Sequence, residues 1–507
     1  MIIRDIHRSA VTVATAMAAL LIGTSAPAHD GSHEQCYLSP PPPNSEGPPE
    51  DEGYWEDVVD IGIQAIHSIH LPLSGKLLIW GYNHGQRTSA PGIILDPESG
   101  AIENIMVGSP AFCAGHSHLP DGRIFISGGR NSRGIGTVFD PFLETWSPVQ
   151  LYGERFYPTH TSLSDGRVFI SGGTGRRSGN PEIFDPVTNT TTPVACTQLP
   201  NGFRCGSASL RMHWYPRMAL GEDDNLLFLP ANRPLYAATF DAANNAWVSH
   251  ENGGDPRGRW IPAPTVYYAE GRALKAGADS YGSHNKATTN ASVVEFDDIF
   301  NPTERAVAPM EYARNRNTLT LLADGKVLAT GGRRDAPCAE GDPNVYNAEL
   351  WDPATETWET LGAMQNTRVY HSTAILLRDG SVFSAGGEPK QHTSQIFRPP
   401  YLFHGPRPVI SSAPAEIDYA TSFEVLTPDA ASVQAVNLLR LGAVTHAYDQ
   451  SQRFVPLTFT AQVDRVVVDG PEEPYDAPAG YYMLFLISDQ GVPSIAEYVR
   501  VRESIWW

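Results

Sequence analysis

The chain has 507 residues, 41% of them apolar, which is enough for two or three domains with sizeable cores. Its 56 acidic side chains outnumber 36 basic ones, for a net charge of −20. A surface of that sign repels phosphate backbones and anionic lipids, and so argues against nucleic acid or a membrane surface as partner. Abundant Gly and Pro (45 and 42) with 10% aromatics favour a turn-rich β protein.

In chain order, the first element reads as a targeting segment. MIIRDIHRSA carries Arg4 and Arg8, the run AVTVATAMAALLIG is too short to span a bilayer comfortably, and Ala26-Pro27-Ala28 offers a small-x-small cleavage pattern. Residues 1–28 are therefore expected to be a signal peptide, and the mature chain to be secreted, or at least extracytoplasmic, with no membrane span. Residues 29–53 include YLSPPPPNSEGPPEDEG, Pro-rich and acidic without an apolar period, and predict an extended lead-in.

From residue 54 the sequence repeats. HSIHLPLSGKLLIWG, HSHLPDGRIFISGG, HTSLSDGRVFISGG, NTLTLLADGKVLATGG and HSTAILLRDGSVFSAGG are versions of one unit: strand, Asp-Gly or Ser-Gly turn, apolar strand, and usually Gly-Gly. Several units continue into an aromatic-Asp-Pro stretch, as in FDPFLETW and WDPATETW. The turn fits a two-residue hairpin, because Asp and Gly accept positive φ at little cost. Two weaker units, RMHWYPRMALGEDDNLLFLPA and PTVYYAEGRALKAGADS, bring the number to seven. The turns at Asp121 and Asp165 lie 44 residues apart and those at Asp324 and Asp379 lie 55 apart. Periods of about 40–50 residues with several strands each mean propeller blades. Residues 54–402 are predicted to form a seven-bladed kelch-type β-propeller. Residues 403–507, with short strands such as SFEVLT, AVNLLRLG and GYYMLFLIS, are predicted to form an immunoglobulin-like β-sandwich, so the fold class is all-β.

A propeller alone names no function, and a non-catalytic extracellular module binding a protein or glycan is one reading. The other rests on residues that converge. Side chains just before the inner strands of different blades face one another around the axis. Cys113 precedes the second unit's strand, Tyr157 the third's, and Tyr370 and His371 the seventh's. His446 lies in a polar loop of the C-terminal domain that could rise up the channel. Two imidazoles and two phenol oxygens at one place suit copper(II). At the mouth of a strand, before regular pleating, the chain can turn so that the neighbours Tyr370 and His371 serve one centre.

Cysteine usage is odd-numbered: Cys36, Cys113, Cys196, Cys205 and Cys338. Cys196 and Cys205 bracket a short loop and form the best disulfide candidate; Cys36 and Cys338 could pair across the fold, leaving one thiol over. NTT at Asn189 and NAS at Asn290 are glycosylation sequons, usable in a host that glycosylates.

These motifs together resemble the copper radical oxidases, the family of galactose oxidase and glyoxal oxidase, from about residue 54 to the C-terminus. RVYHSTAILLRDGSVFSAGG is similar to the family segment holding its axial tyrosine and first histidine, here Tyr370 and His371. VTHAYDQSQRFVPLTF is similar to that holding the second histidine, His446. FCAGHSHLPDGR and RFYPTHTSLSDGRVFISGG resemble those of the cross-linking cysteine, Cys113, and the equatorial tyrosine, Tyr157. PAGYYMLFLISDQGVPS matches the end of the family's last domain. The resemblance implies a copper site of Tyr157, Tyr370, His371 and His446, a thioether radical cofactor joining Cys113 to Tyr157, and Tyr370 as general base. It implies a monomeric oxidase that takes a small aldehyde or primary alcohol and dioxygen and releases hydrogen peroxide. Two departures bear on substrate. Galactose oxidase has an extra carbohydrate-binding domain ahead of its propeller, where only about 25 residues are expected here between the cleavage site and the first blade, and Gly175 stands where galactose oxidase has a radical-covering tryptophan. Trp214 or Tyr215 could reach over from the next blade instead.

Overall fold

The computed structural model describes residues 47–82, 89–175, 181–194, 214–229, 238–241, 246–249, 263–278, 286–334 and 342–502. The signal peptide, most of the lead-in, and Cys36, Cys196, Cys205 and Cys338 lie outside the described residues.

Among the described residues seven antiparallel sheets follow in chain order. Blade II shows the pattern: Gly115–His118 innermost, then Ile124–Ser127, Ile135–Asp140 and Thr145–Gln150 outermost. Its two inner strands are buried at every position while its outer strand is mostly exposed. Blades III to VI repeat this, with inner strands Thr159–Ser162, Arg217–Leu220, Thr265–Ala269 and Thr318–Leu321. A strand packed between neighbouring blades is covered on both faces, so the inner strands are buried almost throughout rather than at alternate positions, their His, Ser and Thr residues included.

Blade VII contains Ser372–Leu376, Val382–Gly386 and Thr393–Arg398, and is closed by Tyr54–Trp55 from the start of the propeller. Trp55 is wholly buried, its ring lies 4.7 Å from that of Phe397, and its indole N–H donates to Gly362 O of blade VI at 2.9 Å. The lead-in departs from expectation at its end: Pro49–Glu52 form one helical turn, helped by a proline in the first turn. His404 Nε2 meets the Glu50 carbonyl at 3.0 Å and holds that turn against residues Pro400–Phe403.

The Asp-Gly turns also differ from the two-residue hairpins expected. In Leu119-Pro120-Asp121-Gly122, Gly122 N–H donates to Leu119 O at 3.0 Å and Leu119 N–H to Arg123 O at 2.8 Å. Only the glycine is left-handed (φ 91°), which makes a type I turn closed by a glycine bulge. The aspartate has another task. Its Oδ1 accepts the N–H two residues on: Arg123, Arg167, Lys326 and Ser381 at 2.9–3.1 Å in four blades.

The C-terminal domain is a two-sheet sandwich. Val433–Arg440, Phe454–Leu457, Gly480–Ser488 and Glu497–Val501, with Glu416–Ile417, face a sheet of Ser422–Leu426, Phe459–Ala461 and Arg465–Asp469. Its core includes Val425, Val436, Leu438, Val466, Tyr482 and Leu484, each fully buried. From this sandwich a hairpin, Ala443–Thr445 and Tyr448–Asp449, extends the inner edge of blade I, whose own strands are His67–His70, Leu77–Trp80, Ala90–Leu95 and Ile102–Val107. Thr445 pairs with His67 and Val444 with Ser68. Glu270 of blade V approaches Asp476 of the sandwich, and burial together with that neighbour pushes the Asp476 carboxyl up to about 7.

Two outcomes follow from these contacts. Trp55→Ala removes the ring that seals the first and last blades and is expected to cost about 3–5 kcal/mol, read as a drop in denaturation midpoint. Asp476, half-buried, has a folded pKa above its unfolded value of about 3.9. Its stabilisation is therefore present at low pH and lost as pH rises through about 7. Melting temperatures of wild type and Asp476→Asn between about pH 5 and 8 should diverge, wild type falling relative to the variant.

Candidate active site

Every sequence-predicted site residue sits at a strand mouth, and the structure brings all five together. Cys113 lies two residues before Gly115–His118, Tyr157 two before Thr159–Ser162, and Tyr370 and His371 immediately before Ser372–Leu376. His446 is at the tip of the hairpin that extends blade I. The ligand atoms of Cys113, His371 and His446 lie within 4.8 Å of one another. Cys113 Sγ is 3.4 Å from His446 Nε2 and 3.9 Å from His371 Nε2. The hydroxyls of Tyr157 and Tyr370 meet at 3.0 Å.

The backbone explains how neighbours in sequence share one centre. Cys113, Tyr157, His371 and His446 all have positive φ, between 48° and 69°. Such conformations cost about 1–3 kcal/mol each and persist only where the surroundings enforce them. At His371 (φ 66°) the turn breaks strand alternation, and the Tyr370 and His371 rings lie 4.0 Å apart. The enforcing bonds are local: Gly387 N–H donates to His371 O and Glu388 N–H to Tyr370 O, at 2.9 and 2.8 Å.

Both histidines are oriented for metal binding. The Glu388 carboxylate accepts His371 Nδ1–H at 2.7 Å. Thr445 Oγ1 donates to Ile66 O at 2.9 Å and so accepts His446 Nδ1–H at 2.6 Å. Each arrangement leaves the Nε2 lone pair facing the other donors. Burial lowers the His371 pKa, keeping the ring neutral, and raises those of the Cys113 thiol and the Tyr157 and Tyr370 phenols well above their usual ranges. Two neutral imidazole nitrogens and two phenol oxygens form a donor set that fits copper(II).

The walls are aromatic. Trp214 stacks on Tyr157 with centroids 4.7 Å apart and planes 18° from parallel. Tyr215 instead meets Tyr157 edge-on and donates its hydroxyl to Ala114 O at 2.9 Å. Gly175 could carry no such ring: a Cβ there would lie 2.2 Å from Glu154 O. Phe112 and Tyr82 pack edge to face on the other side, and the Arg316 guanidinium lies 5.5 Å from the Tyr370 ring centre. Beneath the site His67 accepts the Cys113 N–H at 3.1 Å and stacks on Trp80. Sequence reasoning missed Glu388, Thr445, His67 and Phe112. The Thr-His pair at 445–446 is a local signal for one of them; the others are visible only in space.

Residues 407–501 match the family model for the galactose oxidase-like Early set domain. The chain is 26% identical over 492 residues to galactose oxidase of Gibberella zeae, covering 89% of this chain and 71% of that one. These similarities support the copper radical oxidase family. It is also 31% identical over 225 residues to aldehyde oxidase GLOX of Vitis pseudoreticulata, covering 38% of this chain and 42% of that one. Its fold matches a solved fungal alcohol oxidase in complex with copper, with a TM-score of 0.75 at 24% identity, across 89% of this chain and all of that one.

Within this site, the Glu388–His371 contact carries a specific expectation. Glu388→Gln keeps the shape of the side chain but removes the acceptor charge behind His371 Nδ1. Copper affinity, measured by competition with a chelator, should weaken by about 10–100-fold.

Proposed function

We propose that this copper-dependent oxidase is secreted and oxidises a small aldehyde, as its hydrate, or a simple primary alcohol, with dioxygen as acceptor and hydrogen peroxide as second product. The observation that carries the reading is the convergence of Cys113 Sγ, the two histidine Nε2 atoms and the paired Tyr157 and Tyr370 hydroxyls. A non-catalytic propeller would have no need to gather these five side chains in strained backbone at one point.

His371, His446, Tyr157 and Tyr370 would hold the metal. Bound copper supplies one-electron redox capacity, which with one further oxidising equivalent on Tyr157 accounts for a two-electron oxidation. The chain's residues do the rest. Tyr370, deprotonated as a copper ligand, would take the proton of the substrate hydroxyl, and Tyr157, already oxidised by one electron, would receive the hydrogen atom from the substrate carbon. Cys113, packed in the same buried cluster as Tyr157, would be joined to the Tyr157 ring by a thioether. That bond replaces one S–H and one ring C–H, and dioxygen takes up the two hydrogens as peroxide. The sulfur lends electron density to the phenol and makes it easier to oxidise. Trp214, face to face with Tyr157, shields the oxidised ring from solvent.

Site shape supports a small substrate. Tyr157, Tyr370 and His371 are 2%, 4% and 5% exposed, and Phe112 and Trp214 crowd the approach.

A peptide map of the secreted, aerobically copper-loaded protein tests the cofactor. The expected result is a fragment joining Cys113 to Tyr157, lighter by two hydrogens than the sum of its parts and absent in Tyr157→Phe. A Cys113 that stays a free thiol after copper binding would sink the reading. In a peroxide-release assay, Tyr370→Phe should lower kcat by about 10²–10⁴-fold.

A further inference from the structure

The copper site is at one end of the propeller axis. At the other end, where the sandwich docks, two adjoining clefts share Arg440, Gln452 and Arg453 in their walls. Arg440 ends the strand Val433–Arg440, and Arg453 immediately precedes Phe454–Leu457, so both cations come from the C-terminal domain. The blades supply the facing wall, including Thr161 and Ser162 of blade III.

The wall is built of donors that protein acceptors leave unused. Arg440 is 6% exposed; one Nη donates to Ala479 O at 3.3 Å, and its Nε is buried without a partner. Gln450 spends its amide oxygen on the N–H groups of His116 and His160, at 3.3 and 3.0 Å. That fixes its NH2 on the opposite side, where it too has no partner. The Thr161 and Ser162 hydroxyls are buried and unpartnered as well. Among the described residues neither Arg440 nor Arg453 has a carboxylate within ion-pair distance. The two guanidiniums instead repel one another, and burial with that repulsion lowers the Arg453 pKa.

Desolvated cations without a counter-charge are unstable in protein interiors. The buried arginines elsewhere in this fold show the usual solution: Arg155 pairs with Glu182 and Arg314 with Glu349. We propose that the cleft around Arg440 and Arg453 is a binding site for a small monovalent inorganic anion. The class follows from charge. Arg440 and Arg453 line both clefts, while Asp449 lines only one of them and is already occupied by the Ala443 and Ser451 N–H groups at 2.8 and 2.9 Å; Asp476 acts on Arg453 from beyond ion-pair distance. The shared wall therefore carries two cations and no carboxylate, and a small monovalent anion offsets that excess without adding more negative charge than the two nearby carboxylates tolerate. The donors are N–H and O–H groups suited to a halide, and the anion would tie the sandwich and the root of the His446 hairpin to blade III.

The test uses bromide, on full-length copper-loaded protein, against gluconate at equal ionic strength. Bromide should raise the melting temperature saturably, by roughly a few degrees at a hundredfold excess over its dissociation constant. Arg453→Met should lose that response, and Arg453→Lys should keep it at an affinity weaker by about tenfold or more. Crystals grown in bromide should show an anomalous peak within hydrogen-bonding reach of both guanidiniums. Identical melting of wild type in the two salts, a bromide response unchanged in Arg453→Met, or no anomalous peak between the two arginines would each overturn the proposal. Should Arg453→Met fail to fold, the wild-type salt comparison and the anomalous map decide it.

Discussion

Three buried arginines hold the mouths of the blades, and the site depends on them. Arg155, Arg314 and Arg368 each precede by two positions a residue that faces the site: Tyr157, Arg316 and Tyr370. Each guanidinium donates back to the first carbonyl of its own blade's Gly-Gly pair, Gly172, Gly331 and Gly386, at 2.6–3.1 Å. In blades III and VI a glutamate from the third strand completes the anchor and also caps the loop. Glu182 accepts Arg155 Nε and the Tyr152 N–H; Glu349 accepts Arg314 Nε and the Glu311 N–H. Removing one member of such a pair costs about 3–5 kcal/mol, because the other is left charged and dry. Blade VII uses a neutral version. Gln395 takes over the loop N–H groups of Gln365 and Asn366 but leaves Arg368 without an acid, and burial drops that guanidinium to about 9.

The anchor explains why strain collects where it does. A chain leaving a fixed arginine must turn sharply within two or three residues to enter the inner strand. The left-handed residues Tyr157, Arg316 and His371 absorb that turn. Non-glycine residues there are unfavourable unless the turn is imposed from both sides. On the far side the Gly-Gly pairs allow the next blade's anchor to close in: a Cβ on Gly331 of blade VI would lie 2.0 Å from Arg368 O of blade VII. Blade II has no arginine at this place, and the Cys113 N–H is held by His67 instead. Neutral and fully buried, His67 is a rigid acceptor that fixes the thiol's position without adding charge next to the two histidines proposed to hold copper.

Much of this was legible in the sequence because a repeat multiplies weak local signals. Seven copies of strand, turn and strand, four of them ending in Gly-Gly, announce blades even where any one copy is ambiguous, and mouth positions follow from the register of each copy. The exact turn was not legible: Pro120, Ser164, Ala323 and Arg378 ahead of the aspartates admit a type I turn with a glycine bulge, and the Asp-Gly pair alone does not choose. The supporting shell was harder still. Glu388 is a carboxylate after one of several Gly-Gly pairs, and nothing local marks it as the partner of an imidazole 17 residues earlier. Trp214 and Tyr215 are adjacent aromatics, and which one lies flat on Tyr157 is set by the left-handed φ of Tyr215 and its bond to Ala114 O.

The position of His446 sets a wider constraint. Three of the four proposed copper ligands come from the propeller, but the fourth arrives on a hairpin that belongs to the sandwich and pairs with blade I. Thr445, which orients His446, is itself oriented by Ile66 O, the residue before the inner strand of that blade. The second imidazole is therefore in place only when the hairpin has added to blade I in the correct register. A slip of one residue would turn Thr445 and His446 to the opposite faces. Met218, Thr265 and Tyr267, from two further blades, bind Tyr448 and Gln452 below the tip, so the register is checked on several sides of the channel. The sandwich is thus part of the proposed metal site rather than an appendage, and assembly of that site depends on the docking of the two domains.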